Sequence, residues 1–305
     1  MSTGVDPWAL PPVPFRFSFA VSSFGLEGPD SLRVLHGQTT QAIEGLQPGQ
    51  SCETCCVTAT ARLIALARVT VEQDGASLLL TAGPGEQVRQ AIDRVLFPAD
   101  RVRLGPLEAL EWHGLVETGG AQGSEVAGGA GWGLPGRHWL LPVGAPLPPE
   151  LAAVQPLAPQ LQEWLRIRQG LPAAPGEIND DFNPFELGLA ERVSLNKGCY
   201  LGQETLAKLN SRDGIKQQLR RWWAADSGSL PAAGQPLLGA DQQRLGRITS
   251  VLPGTADLPC CGLAMVRRAW LEAPELAGVQ LSLPAALSFN SQAATAQVAR
   301  QSSRL

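Results

Sequence analysis

Two apolar segments separated by a tight turn set the strongest limit on how this chain can fold. Residues 60–71 are mostly apolar, with two arginines interposed, and residues 77–81 form a second apolar run. The turn at residues 73–75 between them is typical of a β-hairpin. Residues 15–19 alternate apolar and polar side chains, which is the period of a half-buried strand. We therefore expect a sheet of short antiparallel strands.

Helical segments alternate with these strands. Residues 86–96 and 157–169 carry apolar side chains at helical spacing. A shorter helix is expected to start at an N-cap formed by Asp30 or Ser31 and to stop at Gly37. Hairpin-paired strands mixed with helices of this length predict an α+β fold.

A change of composition predicts an insertion in the first part of the chain. Residues 118–150 are rich in Gly, Ala and Pro, so long helices are not expected there. Trp139 and the leucines that follow it favour a small strand or hairpin. We interpret this stretch as an insertion within a first region that covers residues 1–215.

A second change of composition predicts a separate C-terminal domain over residues 216–305. Short strand-like runs at residues 246–251 and 262–266 alternate with turns. Such spacing favours a small β-barrel or sandwich from about residue 216 to 295. The last residues, 291–305, are small or polar and are expected to be frayed.

Charge and hydropathy exclude several classes of protein. The chain has 305 residues, 44% hydrophobic and 17% charged, with a formal net charge of −4. That balance creates no broad field that attracts nucleic acid or an anionic membrane. No apolar run reaches the roughly 18 residues that a membrane span needs, and the first residues lack the pattern of a secretory signal. These observations predict a cytoplasmic protein, and we expect a monomer.

The cysteines do not form a convincing metal or disulfide framework. Six in 305 residues are too few for a disulfide scaffold, so a reducing compartment is expected. Cys52 and Cys55 have zinc-like spacing, but a second pair of ligands is missing, and Cys260 and Cys261 are adjacent. We therefore predict no metal site.

Reactive groups are concentrated in residues 197–204, Lys-Gly-Cys-Tyr-Leu-Gly-Gln-Glu, which we call the octapeptide. A short helix is predicted from Glu204 onward, which places Cys199 just before a helix N-terminus. The helix end and the ammonium of Lys197 both favour the thiolate over the thiol. Cys199 and Lys197 are therefore the predicted catalytic groups. The alternative is that Cys199 is a small buried apolar residue.

The octapeptide resembles the signature of the YgfZ-type folate-binding proteins, relatives of the glycine-cleavage T-protein, an aminomethyltransferase. Other segments follow the same family order, and the resemblance covers about residues 15 to 285. These segments are residues 35–40, 166–172, 176–178, 184–189, 246–250 and 262–267.

The resemblance implies a fold, a ligand and partners. It implies three subdomains closed into a ring, of which two intertwined α+β subdomains form the first region and a small β-barrel forms the third. It implies tetrahydrofolate, or a one-carbon derivative, in the central opening. It also implies a role in assembling or repairing iron–sulfur enzymes, with those enzymes or their assembly proteins as partners. A link to tRNA modification is explained through the same enzymes.

The resemblance also implies candidate folate-binding residues. Glu186 matches the glutamate that reads the pterin, since a carboxylate can accept two of its N–H groups. The alternative for Glu186 is an exposed acid in a loop. Arg212 matches a position that contacts the far end of folate, and a surface arginine is the alternative. Tyr200 either stacks on the ligand or fills space behind the helix. Gln203 and Glu204 complete the set, although for Glu204 the helix dipole is a sufficient explanation.

One departure from the family pattern bears on activity. The transferases carry an aspartate on an early strand, and residues 62–68 contain no carboxylate here. We therefore expect no glycine-cleavage activity, and the sequence leaves open whether the protein is an enzyme. A folate-dependent one-carbon transferase is the second hypothesis.

An RNA-binding module is the third hypothesis, and a solvated surface is the simpler explanation for the residues that suggest it. These residues are Arg212, Lys216, Arg220, Arg221, Trp222 and Trp223. Arg166, on the polar side of its predicted helix, is interpreted as an internal salt-bridge partner.

Overall fold

A computed structural model describes residues 6–117, 133–134, 136–211, 214–224, 231–256 and 258–284. Within these residues the chain forms two antiparallel sheets and five α-helices. The strands are β1 (Phe15–Glu27), β2 (Ser51–Val57), β3 (Leu63–Glu72), β4 (Gly75–Ala82), β5 (Arg103–Leu104), β6 (Glu108–Val116), β7 (Arg137–Pro142), β8 (Gln217–Ala224), β9 (Pro236–Leu238), β10 (Arg244–Leu252), β11 (Cys260–Arg267), β12 (Glu275–Leu276) and β13 (Val279–Ser282). The helices are α1 (Ser31–Gln38), α2 (Gly85–Asp93), α3 (Pro149–Ala152), α4 (Pro159–Gln169) and α5 (Gln203–Ser211).

The first sheet has seven strands in the order β2-β3-β4-β1-β6-β7, with β5 paired to β1. The predicted hairpin is β3–β4, in which Glu72 pairs with Gly75 across the turn. β1 starts at Phe15 as predicted but continues to Glu27, because it is a central strand held by β4 on one side and β6 on the other.

Each face of the first sheet packs against a different layer. α1 and α2 cover one face, where Leu35, Val88 and Ile92 are buried on strand residues such as Leu78. α2 ends three residues before its predicted limit, because Val95 beyond it is exposed. The opposite face contributes to the largest core cluster, which it shares with α4 and the second sheet.

The second sheet has six antiparallel strands in the order β12-β13-β8-β11-β10-β9. A register shift between Ile248 and Ser250 bends β10 against β11. This sheet forms a half-barrel in the C-terminal part of the chain, and with the first sheet and the helices it confirms the α+β class. The ring of three subdomains and the boundary at residues 215 and 216 stay predictions.

The predicted insertion is described only in part. Residues 118–132 and 135 lie outside the described residues, as does the predicted frayed tail at 291–305. The small strand expected around Trp139 is β7, which pairs with β6 through Trp139 and His113. β6 itself was not predicted, because its charged residues and Gly114 hide the period of a strand that buries Trp112.

Candidate functional site

The octapeptide is anchored to the C-terminal end of α1 by Lys197. Its Nζ donates hydrogen bonds to the main-chain oxygens of His36, Thr39 and Gln41, the last two at 2.7 Å. The ammonium also lies 4.4 Å from the centre of the Tyr200 ring, a cation–π contact. Burial lowers the pKa of Lys197 to about 8. Because three carbonyls use all three N–H groups of the ammonium, Lys197 holds the octapeptide in place, and its predicted catalytic role stays a prediction.

Further hydrogen bonds join the octapeptide to α1 and link its two ends. The amide of Leu201 donates to the oxygen of Gly37 at 3.0 Å. Gln203, the first residue of α5, donates from Nε2 to the oxygen of Lys197 at 3.1 Å. Gly202 has a φ of +81°, a backbone conformation that L side chains rarely adopt. Gln203 therefore supports the shape of the octapeptide directly.

Cys199 is exposed, four residues before α5 begins. The alternative of a buried apolar cysteine is therefore wrong. Cys55 and Cys56 in β2 show the contrast, because burial raises the pKa of both thiols to about 12. Cys199 is thus the exposed thiol among the six free cysteines.

His36 is a neighbour of this segment that the sequence analysis did not single out. Its Nδ1 accepts the amide protons of Ile43 and Glu44, both at 3.2 Å, so the neutral ring carries its proton on Nε2. A Cβ added to Gly198 would lie 3.9 Å from that Nε2. Burial, and then the charge of Lys197, lower the pKa of His36. The signal that could have found it is its position inside the motif at residues 35–40.

Tyr200 fills space behind the helix and belongs to the same small core as the loop that carries Glu186. Phe185, Tyr200 and Leu206 of α5 are buried together in one cluster. The Tyr200 hydroxyl is buried and has no hydrogen-bond partner among the described residues. Burial raises its pKa to about 12. The hydroxyl is therefore a polar atom that a ligand could satisfy.

Glu186 is buried, so the alternative of an exposed loop acid is wrong. Its Oε2 accepts a hydrogen bond from the main-chain N–H of Asn183 at 3.0 Å, and its Oε1 accepts one from Gln217 Nε2 at 3.1 Å. Arg62 Nη1 lies 3.8 Å from Oε2. Burial raises the pKa of Glu186, and the two hydrogen bonds oppose that shift. The carboxylate is thus held in one orientation by groups from two sides.

The structure does not place Glu204 and Arg212 in a buried site as it does Glu186. The carboxylate of Glu204 is 83% exposed and accepts a hydrogen bond from Lys208 Nζ, one turn later in α5. That hydrogen bond lowers the pKa of Glu204, so a surface ion pair explains the residue without a ligand. Arg212 lies outside the described residues. Folate contacts for both stay predictions.

The basic and aromatic residues of β8 do not form one exposed stripe. Arg220 and Trp222 are buried at 5% and 0% exposure, and Trp222 belongs to the core cluster of the second sheet. Arg221 and Trp223 alternate with them and face the other way. The pattern suggested by the sequence for RNA binding is therefore split between two faces of the sheet.

Two clefts lie near the start of β3 and near β10. Leu63, Ile64 and Asp180 border one of about 420 Å³. The next three residues of β3, Ala65, Leu66 and Ala67, are apolar and buried, so no carboxylate stands at these positions of the strand. Arg166 and Arg247 border the other, of about 490 Å³.

The described residues contain neither a metal-binding cluster nor a membrane-spanning helix. No group of three or more His, Cys, Asp or Glu side chains could hold a metal ion. None of the helices in this part of the chain has the length and apolar character needed to cross a bilayer.

Comparison with solved structures identifies the fold. The crystal structure of the glycine cleavage system aminomethyltransferase T from Bartonella henselae matches with a TM-score of 0.68, over 90% of this chain and 88% of that one. The sequence identity is 17%, so this likeness concerns the fold. The architecture is that of the aminomethyltransferases.

Comparison with curated proteins finds relatives of two related kinds. A putative chloroplastic transferase of Arabidopsis thaliana is 30% identical over 286 residues, which cover 81% of this chain and 64% of that protein. The tRNA-modifying protein YgfZ of Yersinia pestis is 30% identical over 131 residues, 39% of each chain. An aminomethyltransferase of Chlorobium luteolum is 27% identical over 192 residues, 60% of this chain and 50% of that protein.

The chain aligns with less than two thirds of the length of these curated relatives. No family model matches it. Taken together with the octapeptide, the relatives and the solved structure support a YgfZ-type relative of the aminomethyltransferase family.

Proposed function

We propose that the protein binds a reduced folate, such as tetrahydrofolate, and supports iron–sulfur enzymes as an accessory protein through Cys199. The observation that carries the proposal is the exposure of this thiol on a segment whose neighbours are hydrogen-bonded to α1 and α5. An exposed thiol on a rigid support can meet a partner protein. The free state of all six cysteines supports a reducing compartment such as the cytoplasm.

The chemistry of the site residues fits a folate. Glu186 is a buried carboxylate with a fixed orientation, which suits a ring system that presents adjacent N–H donors. The buried Tyr200 hydroxyl lacks a partner among the described residues and can donate or accept. When bound, a folate supplies a carrier for one-carbon units. Lys197 and Gln203 would maintain the octapeptide beside it.

The role of Cys199 has three chemical alternatives. A thiolate can relay sulfur, act as a transient ligand of a cluster, or accept a one-carbon unit, because it is both a nucleophile and a soft ligand.

The test separates the thiol from the folate. Cys199→Ala should keep the melting temperature and the folate affinity of the native protein, because the side chain is exposed. It should lose the ability to restore iron–sulfur enzyme activity in cells that lack the native protein. Cys52→Ala, at a half-buried cysteine of β2, is the matched control and should restore that activity. Full restoration by Cys199→Ala would remove the thiol from the function.

A one-carbon transferase is the second candidate, and the aminomethyltransferase fold is the observation in its favour. The apolar, buried residues of β3 speak against it, since they offer no group for proton transfer. Incubation with methylene-tetrahydrofolate and candidate amines tests it, and formation of a one-carbon product would replace the accessory role with catalysis.

A role in tRNA modification is a third candidate, favoured by the YgfZ relative. Nucleoside analysis of tRNA from cells lacking the protein tests it. Normal modification levels would contradict this candidate.

A further inference from the structure

Two arginines, Arg168 and Arg221, are in contact where the N-terminal segment meets the second sheet. Arg168 is near the end of α4 and Arg221 is in β8, and both are half-buried. Nη1 of Arg221 donates to the main-chain oxygen of Arg168 at 3.2 Å. In the described part of the chain, neither guanidinium forms an ion pair with a carboxylate.

Neutral oxygens hold the two guanidiniums. Arg168 donates from Nε to the main-chain oxygen of Trp8 at 2.7 Å and from Nη1 to Gln169 Oε1 at 2.6 Å. Arg221 donates from Nε to Ser282 Oγ at 2.8 Å. These acceptors fix the orientation of both groups, but they are neutral, and no carboxylate of the described residues lies within ion-pair distance of either guanidinium.

Trp8 adds a third donor at the same place. The residue is 5% exposed, and its Nε1 has no hydrogen-bond partner among the residues described. The Arg221 guanidinium lies over the Trp8 ring, 4.6 Å from its centre, and Trp164 stacks on the ring at 6.2 Å. A buried N–H without an acceptor is rare in native proteins and points to a missing partner.

The electrostatics agree with this geometry. Burial, and then the charge of Arg168, lower the pKa of Arg221 to about 10. Asp6 opposes that shift, but its Oδ1 accepts the amide proton of Trp8 at 2.9 Å and it forms no ion pair with either arginine. The place therefore has an excess of donors and of positive charge.

We propose that Arg168, Arg221 and the Trp8 indole N–H form a binding site for one oxyanion, the phosphate or carboxylate end of a ligand. An oxyanion can accept from all three donors; a phosphate dianion balances both charges and a carboxylate balances one of them, which a neutral ligand cannot do. Arg221 lies over the ring that bears Nε1 and Arg168 donates to the main-chain oxygen of Trp8, so the three donors belong to one cluster of contacting residues. The site is independent of Cys199 and Glu186, which belong to other elements.

Titration of the full chain with inorganic phosphate and, in a parallel arm, with tri-γ-glutamate tests the site. Isothermal calorimetry and tryptophan fluorescence measure binding, with sodium chloride at equal ionic strength as the blank. Saturable binding of phosphate identifies a phosphoryl ligand, and preference for the glutamate peptide identifies a carboxylate ligand. Absence of binding in both arms overturns the proposal.

Variants assign the binding to these residues. Arg168→Gln and Arg221→Gln should each lower the affinity for the anion about tenfold or more, because each removes a charge-assisted hydrogen bond. Trp8→Phe should weaken it about threefold or more, since a neutral donor contributes less. Arg94→Gln, at an exposed arginine after α2, is the matched control and should bind as the native chain does.

Arg221→Lys guards against loss of folding. It keeps the charge but not the planar fork, so it should retain the native melting temperature and bind more weakly than the native chain and more tightly than Arg221→Gln. Equal affinities of the native chain, Arg168→Gln and Arg221→Gln would overturn the assignment.

Discussion

At the scale of single residues, burial shifts the pKa values of the ionisable groups, and hydrogen bonds hold the same groups in place. Glu186 is buried yet accepts hydrogen bonds from Asn183 and Gln217. Lys197 is half-buried yet donates three hydrogen bonds to main-chain carbonyls. Burial raises the pKa of Glu186 and lowers the pKa of Lys197, which in each case favours the neutral form. The pKa values of the two residues therefore shift in opposite directions.

The pH dependence of folate binding should report on Glu186. N–H donors of a pterin bind the ionised carboxylate, so affinity should fall as the pH falls through the raised pKa of Glu186. Glu186→Gln should bind more weakly and lose this dependence, whereas Glu191→Gln, an exposed neighbour, should keep it. Calorimetric titration with a reduced folate across the acid range measures the effect. An unchanged pH profile in Glu186→Gln would remove Glu186 from the folate site.

The stability of the ligand-free protein should also depend on the ionisation of Glu186. The folded state holds the Glu186 proton to higher pH than the unfolded state does. The stabilising contribution is therefore present at low pH and is lost as the pH rises through the raised folded pKa. Urea unfolding across the acid range should show Glu186→Gln gaining stability relative to the native chain as the pH rises. A constant difference would mean that the carboxyl has its ordinary pKa.

Substitution of Lys197 should test its anchoring role. Lys197→Met keeps the length of the side chain but leaves the carbonyls of Thr39 and Gln41 without their donor. We expect a loss of about 1–3 kcal/mol in the free energy of unfolding. Lys208→Met, which breaks an exposed pair on α5, should lose about 0.5 kcal/mol or less. Urea unfolding at neutral pH measures both, and equal losses would contradict the anchoring role.

At the scale of elements, the octapeptide is a connection whose two glycines do different work. Gly202 precedes α5 in a left-handed conformation, and a Cβ there would lie 2.9 Å from the oxygen of Thr58. Gly198 lies outside that conformation, and the nearest atom to its added Cβ is 3.9 Å away. The turn requires Gly202, while Gly198 leaves space beside Cys199.

The paired glycine substitutions should therefore differ. Gly202→Ala combines backbone strain with a clash against backbone, and we expect a loss of about 2 kcal/mol or more in the free energy of unfolding. Gly198→Ala should change it by about 0.5 kcal/mol or less. Thermal and urea unfolding of the two variants measure the difference, and a stable Gly202→Ala would show that the turn can relax.

At the scale of the whole molecule, a buried ionic cluster joins the helical layer to the second sheet. Arg166 of α4 lies 3.5 Å from Glu177, which is 0% exposed, and Ser250 of β10 donates to Glu177 at 2.7 Å. This confirms Arg166 as an internal salt-bridge partner. The cluster borders one of the two clefts and holds its walls together.

Removal of Glu177 should destabilise the molecule strongly. Glu177→Ala leaves the Arg166 guanidinium without its buried partner, and we expect a loss of about 3–5 kcal/mol in the free energy of unfolding. Glu163→Ala removes a partner of the same arginine that is 40% exposed, so the loss should be about 1 kcal/mol or less. Denaturant unfolding measures both, and a small loss in Glu177→Ala would show that water replaces the carboxylate.

Local signals in the sequence determined the hairpin β3–β4, the helix α4, and the octapeptide with its resemblance to the YgfZ-type proteins, because periodicity and short motifs depend on near neighbours in the chain. Long-range packing decided the rest. Lys197 binds the end of α1, some 160 positions away by sequence, and Glu186 meets Gln217 of the second sheet.

The same holds for the arginines. β8 sends Arg220 and Arg221 to opposite faces, and only the chain's path brings Arg221 to Arg168 and Trp8. Burial and partnership are properties of the assembled layers, since they depend on which distant segment covers a side chain. Glu186, Lys197 and Arg221 could therefore be named as candidates from the sequence, whereas Trp8 and Arg168 could not, and the electrostatic state of all of them could be known only from the tertiary structure.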